Sequence, residues 1–180
     1  MQKIKLSDSQ YIQVIQDFMI HGGLDLEYYM VLKNIFVHKA TDTDDCNIEY
    51  VKSHGYYFQE LPRQGGTIVG FPGDVECIYF MLPNEYTGMP KEIQNLLGII
   101  FDKGYTPIIN GNDVLINNYK VASWSFKKIN DYFLVAIVAS VNIDLDIIQH
   151  ICLKPMEKIP KGLSEFGITT EDVKRAFEVE

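Results

Sequence analysis

The chain has 180 residues, of which 47% are hydrophobic and 22% charged, with a net charge of -8. That length suits one domain with a sizeable core, and the composition excludes a disordered tail, a collagen or a coiled coil. With 24 acidic residues against 16 basic ones, it also excludes a non-specific nucleic-acid binder built on a basic face.

In chain order, Met1 to Leu6 runs into Ser7-Asp8-Ser9 rather than into an apolar targeting segment. Ser7 or Asp8 can cap a helix carrying Tyr11, Val14, Ile15, Phe18 and Met19, and Gly22-Gly23 ends it. Tyr28 to Val37 reads as a strand, and Asn47 to Ser53 as a short helix stopped by Gly55. Tyr56-Tyr57-Phe58 starts an extended run, a glycine-rich segment follows from Arg63 to Gly73, and Val75 to Leu82 is a second strand. Pro90 opens a helix with Ile93, Leu96, Leu97 and Ile100 on its apolar stripe. Thr106 to Asn110, Val114 to Ile116 and Lys120 to Phe126 are extended runs, the last two joined by an Asn117-Asn118 hairpin. Phe133 to Ile143 is the most hydrophobic stretch and reads as a central strand. Asp144 caps a helix with Leu145, Ile148 and Ile151, and Thr169 with Asp172 has capping-box spacing before the last helix.

The class is therefore mixed α and β, in a single domain over residues 1–180. The longest apolar run is far shorter than the roughly 20 residues of a membrane span, so the expectation is a soluble, cytoplasmic protein without membrane or nucleic-acid partners. Cys46, Cys77 and Cys152 are widely spaced and no His/Cys cluster has zinc-like spacing, which predicts a reducing compartment and no metal site. The four histidines are scattered as well, and Thr41 to Asp45 reads as a solvated acidic loop.

Two segments carry the residue types of a reactive site. In the first, Arg63-Gln64-Gly65-Gly66-Thr67 leads through Gly70-Phe71-Pro72-Gly73 to Asp74. Glycines let a backbone approach an anion closely, and Arg63 can add a two-pronged clamp; a bulged hairpin would need the same glycines for geometry alone. The second is Asn110-Gly111-Asn112-Asp113 with Lys120 beyond the hairpin. Strand alternation predicts Lys120, Ala122 and Trp124 on one face, where a buried ammonium needs an anion. A solvated hairpin lysine, with Asn112 and Asp113 as turn formers, is the plainer alternative.

Together, Arg63, Gly65-Gly66, Gly73, Asn112-Asp113, Asn117-Asn118 and Lys120 resemble, in order and spacing, the lipoate–protein ligase, octanoyl transferase and biotin protein ligase superfamily. Val141-Asn142-Ile143-Asp144-Leu145 and the lysine-rich run from Leu153 to Ser164 extend the resemblance toward the C-terminus. Gly70 and Phe71 stand where the family usually has a His, and Ala122-Ser123-Trp124-Ser125 stands where it has a run of small residues. The resemblance implies a largely antiparallel mixed sheet with flanking helices. It implies a lipoate, octanoate or biotin group activated with ATP and Mg²⁺ as an acyl-adenylate, then passed to a lysine of a lipoyl or biotinyl carrier domain. Lys120 would be the catalytic residue, with Arg63, Gly65, Gly66, Gly73, Asn112 and Asp113 binding the substrate. Two alternatives follow from the same resemblance: an octanoyl transferase using an acyl carrier protein as donor and Cys152 as thioester nucleophile, or an inactive binding module.

Overall fold

The computed structural model describes residues 1–21, 23–62 and 65–180. Gly22 and the Met19 side chain, expected at the end of the first helix, lie outside the described residues, as does Arg63.

The strands are β1 (Gln2–Lys5), β2 (Leu26–Val31), β3 (Phe36–Ala40), β4 (Tyr57–Leu61), β5 (Ile68–Gly70), β6 (Val75–Met81), β7 (Ile108–Asn110), β8 (Asp113–Ile116), β9 (Tyr119–Ile129) and β10 (Tyr132–Ala139). The helices are α1 (Asp8–His21), α2 (Ile48–Ser53), α3 (Lys91–Asp102), α4 (Leu145–Ile151) and α5 (Thr170–Phe177). Seven strands form the main sheet in the order β1-β2-β6-β10-β9-β8-β7, antiparallel except for β1 beside β2. A second sheet, β4-β3-β5, pairs β3 parallel to β4 and antiparallel to β5. The expected fold class, a mixed and largely antiparallel sheet with flanking helices, is what the chain adopts.

Each element follows from a local cause. In α3, Ile93, Leu96 and Ile100 are fully buried against Tyr79, Trp124 and α5, each contributing about 1.5–3 kcal/mol. Thr169 and Asp172 close α5 in a reciprocal capping box worth about 1 kcal/mol. On the opposite face of the main sheet, α1 packs Tyr11, Ile15 and Phe18 on Met30, Ile78 and Phe80. A third cluster, with Val37, Val51, Val69, Ile148 and Ile151, buries α2 and α4 against the small sheet.

Among the strand boundaries that differ from the sequence expectation, two have a hydrogen-bonding cause. The run from Tyr28 to Val37 is broken into β2 and β3, because the Asp8 carboxylate accepts from the Lys33 and Asn34 backbone N–H groups and holds a turn there. The central strand ends at Ala139 rather than Ile143. Beyond it the Val141 and Asn142 N–H groups donate to Asp74 instead of to a neighbouring strand. Among the described residues no helix is long and apolar enough to cross a membrane.

On β2 the fully buried Glu27 has one cation beside it among the described residues, Lys3, its Nζ 3.5 Å from Oε1, and the Cys77 thiol and the Glu92 carboxyl are close as well. Burial pushes the Glu27 carboxyl above its ordinary 4.5, and Lys3 pulls it part of the way back. A raised carboxyl contributes stability that is present at low pH and lost as pH rises above that ordinary value. Glu27→Gln is therefore expected to raise the thermal midpoint at pH 8 by about 2–4 °C, the effect of roughly 1 kcal/mol in a chain of this size. The gain should shrink by pH 4. Equal gains at both pH values in a melting series would show that ionisation of Glu27 is not the cause.

Candidate active site

A cavity of about 600 Å³ lies between the face of the main sheet that carries Ser123 and the strands β4, β3 and β5 of the small one. Its floor is one cross-strand row. Asp113 of β8 pairs with Ser123 of β9, Ser123 with Val138 of β10, and Val138 with Glu76 of β6. All four line the cavity. Three strand spacings separate the ends of the row, roughly 14 Å.

At one end stand Asn112, Asp113 and Lys120. Lys120 reaches the cavity through a β-bulge. Val114 pairs with Ala122 but Leu115 pairs with Lys120, so Val121 is an extra residue on β9. The bulge resets the alternation and corrects the sequence expectation that Lys120 shares a face with Ala122 and Trp124. Trp124 instead packs in the core under α3, and its indole N–H donates to the Tyr86 hydroxyl at 3.2 Å.

The Asp113 carboxylate is bracketed by two ammonium groups. Lys120 Nζ lies 3.0 Å from Oδ1 and Lys158 Nζ 2.6 Å from Oδ2. Lys158 also donates to the Asn110 carbonyl at 3.0 Å. It arrives on a strap, residues 156–162, that pairs with Lys120 itself. Lys120 N–H donates to the Ile159 carbonyl and Lys161 N–H to the Lys120 carbonyl, both at 2.9 Å. The strap lies so close to the end of β10 that a Cβ on Gly162 would stand 2.5 Å from the Val141 carbonyl oxygen.

Gly65, Gly66, Thr67 and Ile68 line the cavity from the small-sheet side. Asp45 fixes this wall, accepting from Thr67 N–H at 2.9 Å and from the Thr67 hydroxyl at 2.8 Å. Burial works to raise the Asp45 carboxyl, but the Thr67 donors outweigh it and hold the group below its ordinary value. A Cβ at Gly66 would meet Asp45 Oδ2 at 2.5 Å, so only glycine fits there without movement. Asp45 is buried, which corrects the expectation that Thr41 to Asp45 is wholly a solvated loop. Gly73 does not line the cavity. It turns the chain into β6 with φ +95°, and a Cβ there would meet Asn142 and Thr170.

Cys152 lies elsewhere, on a smaller cavity of about 120 Å³ that adjoins the first at Lys120 and Thr67. It faces Cys46 across an isolated antiparallel bridge. Burial pushes its thiol up to about 11, with Asp45 and Cys46 adding to the rise and Lys120 opposing it. An activated nucleophilic thiol shows the opposite displacement.

The far end of the floor holds residues the sequence reading did not single out as a site. His38 of β3 and Glu76 of β6 are both buried, with His38 Nε2 2.6 Å from Glu76 Oε2. Tyr11 and Ser125 line the same region. The signal was present as a polar residue on the inward side of an otherwise apolar strand, in Phe36-Val37-His38 and again in Val75-Glu76-Cys77. Among the described residues no group of three or more His, Cys, Asp or Glu side chains could hold a metal ion.

The model of the lipoyl protein ligase A/B catalytic domain matches residues 34–177. The chain belongs to that family. No curated protein matches it. Among solved structures, a bi-partite lipoate protein ligase from Thermoplasma acidophilum, studied with its E2 lipoyl domain, aligns with a TM-score of 0.75 at 14% identity, covering 97% of this chain and 78% of that one. A lipoate-protein ligase A bound with ATP gives 0.73 at 13% identity, over 98% and 80%. LipL1 of P. falciparum in complex with lipoate gives 0.70 at 16% identity, over 97% and 58%. These likenesses establish a shared fold. The segment from Asn112 to Lys120 and the strap carrying Lys158 form the charged end of the cavity.

Proposed function

We propose that the protein attaches a lipoate-like acyl group to a lysine of a carrier domain through an acyl-adenylate. The observation that carries this reading is the Lys120–Asp113–Lys158 cluster at one end of a cavity large enough for an acid and part of a nucleotide. In the first step a carboxylate oxygen of the acid attacks the α-phosphorus of ATP and pyrophosphate leaves. In the second the carrier lysine's amine attacks the acyl carbonyl and AMP leaves. Negative charge develops at both centres, and the two ammonium groups are placed to stabilise it.

The donor set at this end fits the phosphates of ATP, because two cations converge there and, among the described residues, both pair with the one carboxylate of Asp113. Asn112 and Asp113 offer the oxygens that Mg²⁺ prefers, and the ion, when bound, supplies charge neutralisation for the phosphates. Asp113 holds both ammonium groups in place until a phosphate takes over one of them. The raised Cys152 thiol supports this adenylate route over a cysteine thioester route.

The test is to incubate the protein with ATP, Mg²⁺, a lipoyl or biotinyl carrier domain and lipoate, octanoate or biotin, and to read the intact mass of the carrier. An ATP-dependent mass gain on a carrier lysine is expected. No gain with any acid would leave a binding module of the same fold. Lys158→Met should slow the gain roughly tenfold, the value of one partly exposed charge-assisted contact. An unchanged rate in that variant would confine Lys158 to holding the strap.

A further inference from the structure

We infer that Cys46 and Cys152 form a site of oxidative modification, at which a low-molecular-weight disulfide converts the two thiols into a cross-link. The bond joins the segment that fixes the cavity's glycine wall to the end of α4.

The backbone carries the inference. Both cysteines are free thiols, and they stand opposite each other across the isolated antiparallel bridge. Asn47 N–H donates to the Ile151 carbonyl at 2.8 Å and Leu153 N–H to the Asp45 carbonyl at 2.9 Å. These bonds flank the pair, so Cys46 and Cys152 occupy the non-hydrogen-bonded position of an antiparallel ladder. There the Cα atoms stand about 4.5 Å apart and the two side chains leave on the same side at their closest approach. A disulfide needs a Cα separation of about 4.4–6.8 Å, so the bridge already holds the pair within range. Both side chains belong to the cluster that buries α2 and α4. Cys77, the third cysteine, is buried in the other core, with α3 and α5.

Exposure sets the order of events. Cys152 is partly exposed and lines an open surface pocket with Gln149, Leu153 and Lys154, whereas Cys46 is 8% exposed. The Cys152 thiolate attacks one sulfur of the oxidant, one thiolate leaves, and a mixed disulfide forms. The Cys46 thiolate then attacks Cys152 Sγ and the second thiolate leaves. The protein gives up two electrons and two protons, and the two departing thiols carry both away. Burial raises both thiols above their ordinary value, so exchange is slow, and mutual placement rather than activation selects this pair. The product bears on the cavity. Asp45 adjoins Cys46, and its carboxylate fixes Thr67 at the wall. In the thiol form two backbone hydrogen bonds hold that segment to the end of α4; the cross-link adds a covalent tie that closes a loop of roughly 100 residues.

The test is to bring the full chain to equilibrium with excess glutathione disulfide at mildly alkaline pH, quench with acid, alkylate after unfolding, and read intact mass and a peptide map. The expected product has lost two hydrogen atoms, joins the Cys46 and Cys152 peptides, and leaves Cys77 alkylated. Cys46→Ser should stop at a glutathione mixed disulfide on Cys152, and Cys152→Ser should stay largely unmodified. The cross-linked chain should melt at least about 4 °C above the reduced one. Three alkylated thiols, accumulation of the mixed disulfide alone, or a linkage through Cys77 in the wild type overturns the inference. Modification of Cys152→Ser at the wild-type rate overturns the entry through Cys152, and an unchanged melting midpoint overturns the tie between the wall and α4. If a serine variant does not fold, the wild-type peptide map decides alone.

Discussion

Lys120→Ala is expected to lower the rate of carrier acylation by about 10²–10³-fold, the scale for removing one donor that faces developing charge. The effect should fall on turnover more than on binding of the free acid, because the ammonium faces charge that develops only as the reaction proceeds. The fold should survive. What keeps Lys120 in register is its backbone, paired with Leu115 on one side and with Ile159 and Lys161 on the other. Alanine makes the same pairs. In the variant Asp113 keeps only Lys158, and the local charge changes from one net positive to zero. Lys120→Arg is a sharper control than it first looks. The guanidinium is a planar fork rather than a compact point charge, so it should restore phosphate binding better than rate. The measurement is single-turnover acylation of the carrier followed by intact mass, with melting curves to confirm folding. A rate within threefold of wild type would remove Lys120 from the chemistry and leave the Asp113 cluster as a structural clamp for the strap.

That lysine also shows where sequence reading succeeds and where it stops. The residue types were legible. Asn112-Asp113, an Asn117-Asn118 hairpin and Lys120 come in an order that few structures require, and the hairpin asparagines adopt the left-handed backbone expected of them, with φ of 50° and 68°. The orientation was not legible, because simple alternation puts Lys120 beside Trp124. The single-residue bulge at Val121 reverses that, and a bulge leaves no mark in the local sequence when its extra residue is an ordinary valine. His38 and Glu76 were missed for a different reason. Each is one polar residue inside a strong apolar run, and the packing of the small sheet, with β3, on the main sheet, with β6, brings them together, 38 residues apart. The strap carrying Lys158 has little regular structure to predict, since its place is set by backbone pairing to Lys120 and Ser140. Local pattern reports which residues an element contains, and the sheet order decides which of them meet.

Asp74→Asn is the substitution expected to cost most in stability. Asp74 is fully buried, and its two oxygens divide three backbone donors. Oδ2 accepts from Phe71 N–H at 2.8 Å, while Oδ1 accepts from Val141 N–H at 2.6 Å and Asn142 N–H at 3.0 Å. An asparagine must turn its NH₂ toward one of these sets, placing donor against donor. The better orientation abandons Phe71 and loses about 1–3 kcal/mol, or roughly 2–12 °C in thermal midpoint. Burial pushes the Asp74 carboxyl up to about 7, against the pull of the three N–H groups. A raised carboxyl contributes stability below its ordinary 3.8 that is lost as pH rises toward 7, and asparagine has no such dependence. The gap between wild type and variant in urea unfolding should therefore widen from pH 8 to pH 5; a gap that narrows instead would show that the ionised form of Asp74 is the one the fold favours. The consequence reaches the site. Asp74 immediately precedes β6, which presents Glu76 two residues later, and it holds Val141, whose carbonyl accepts from Ser164 N–H just beyond the strap that carries Lys158. Both ends of the cavity thus hang from one buried carboxylate. Acylation should fall in Asp74→Asn even at temperatures where the variant remains folded, although Asp74 does not line the cavity.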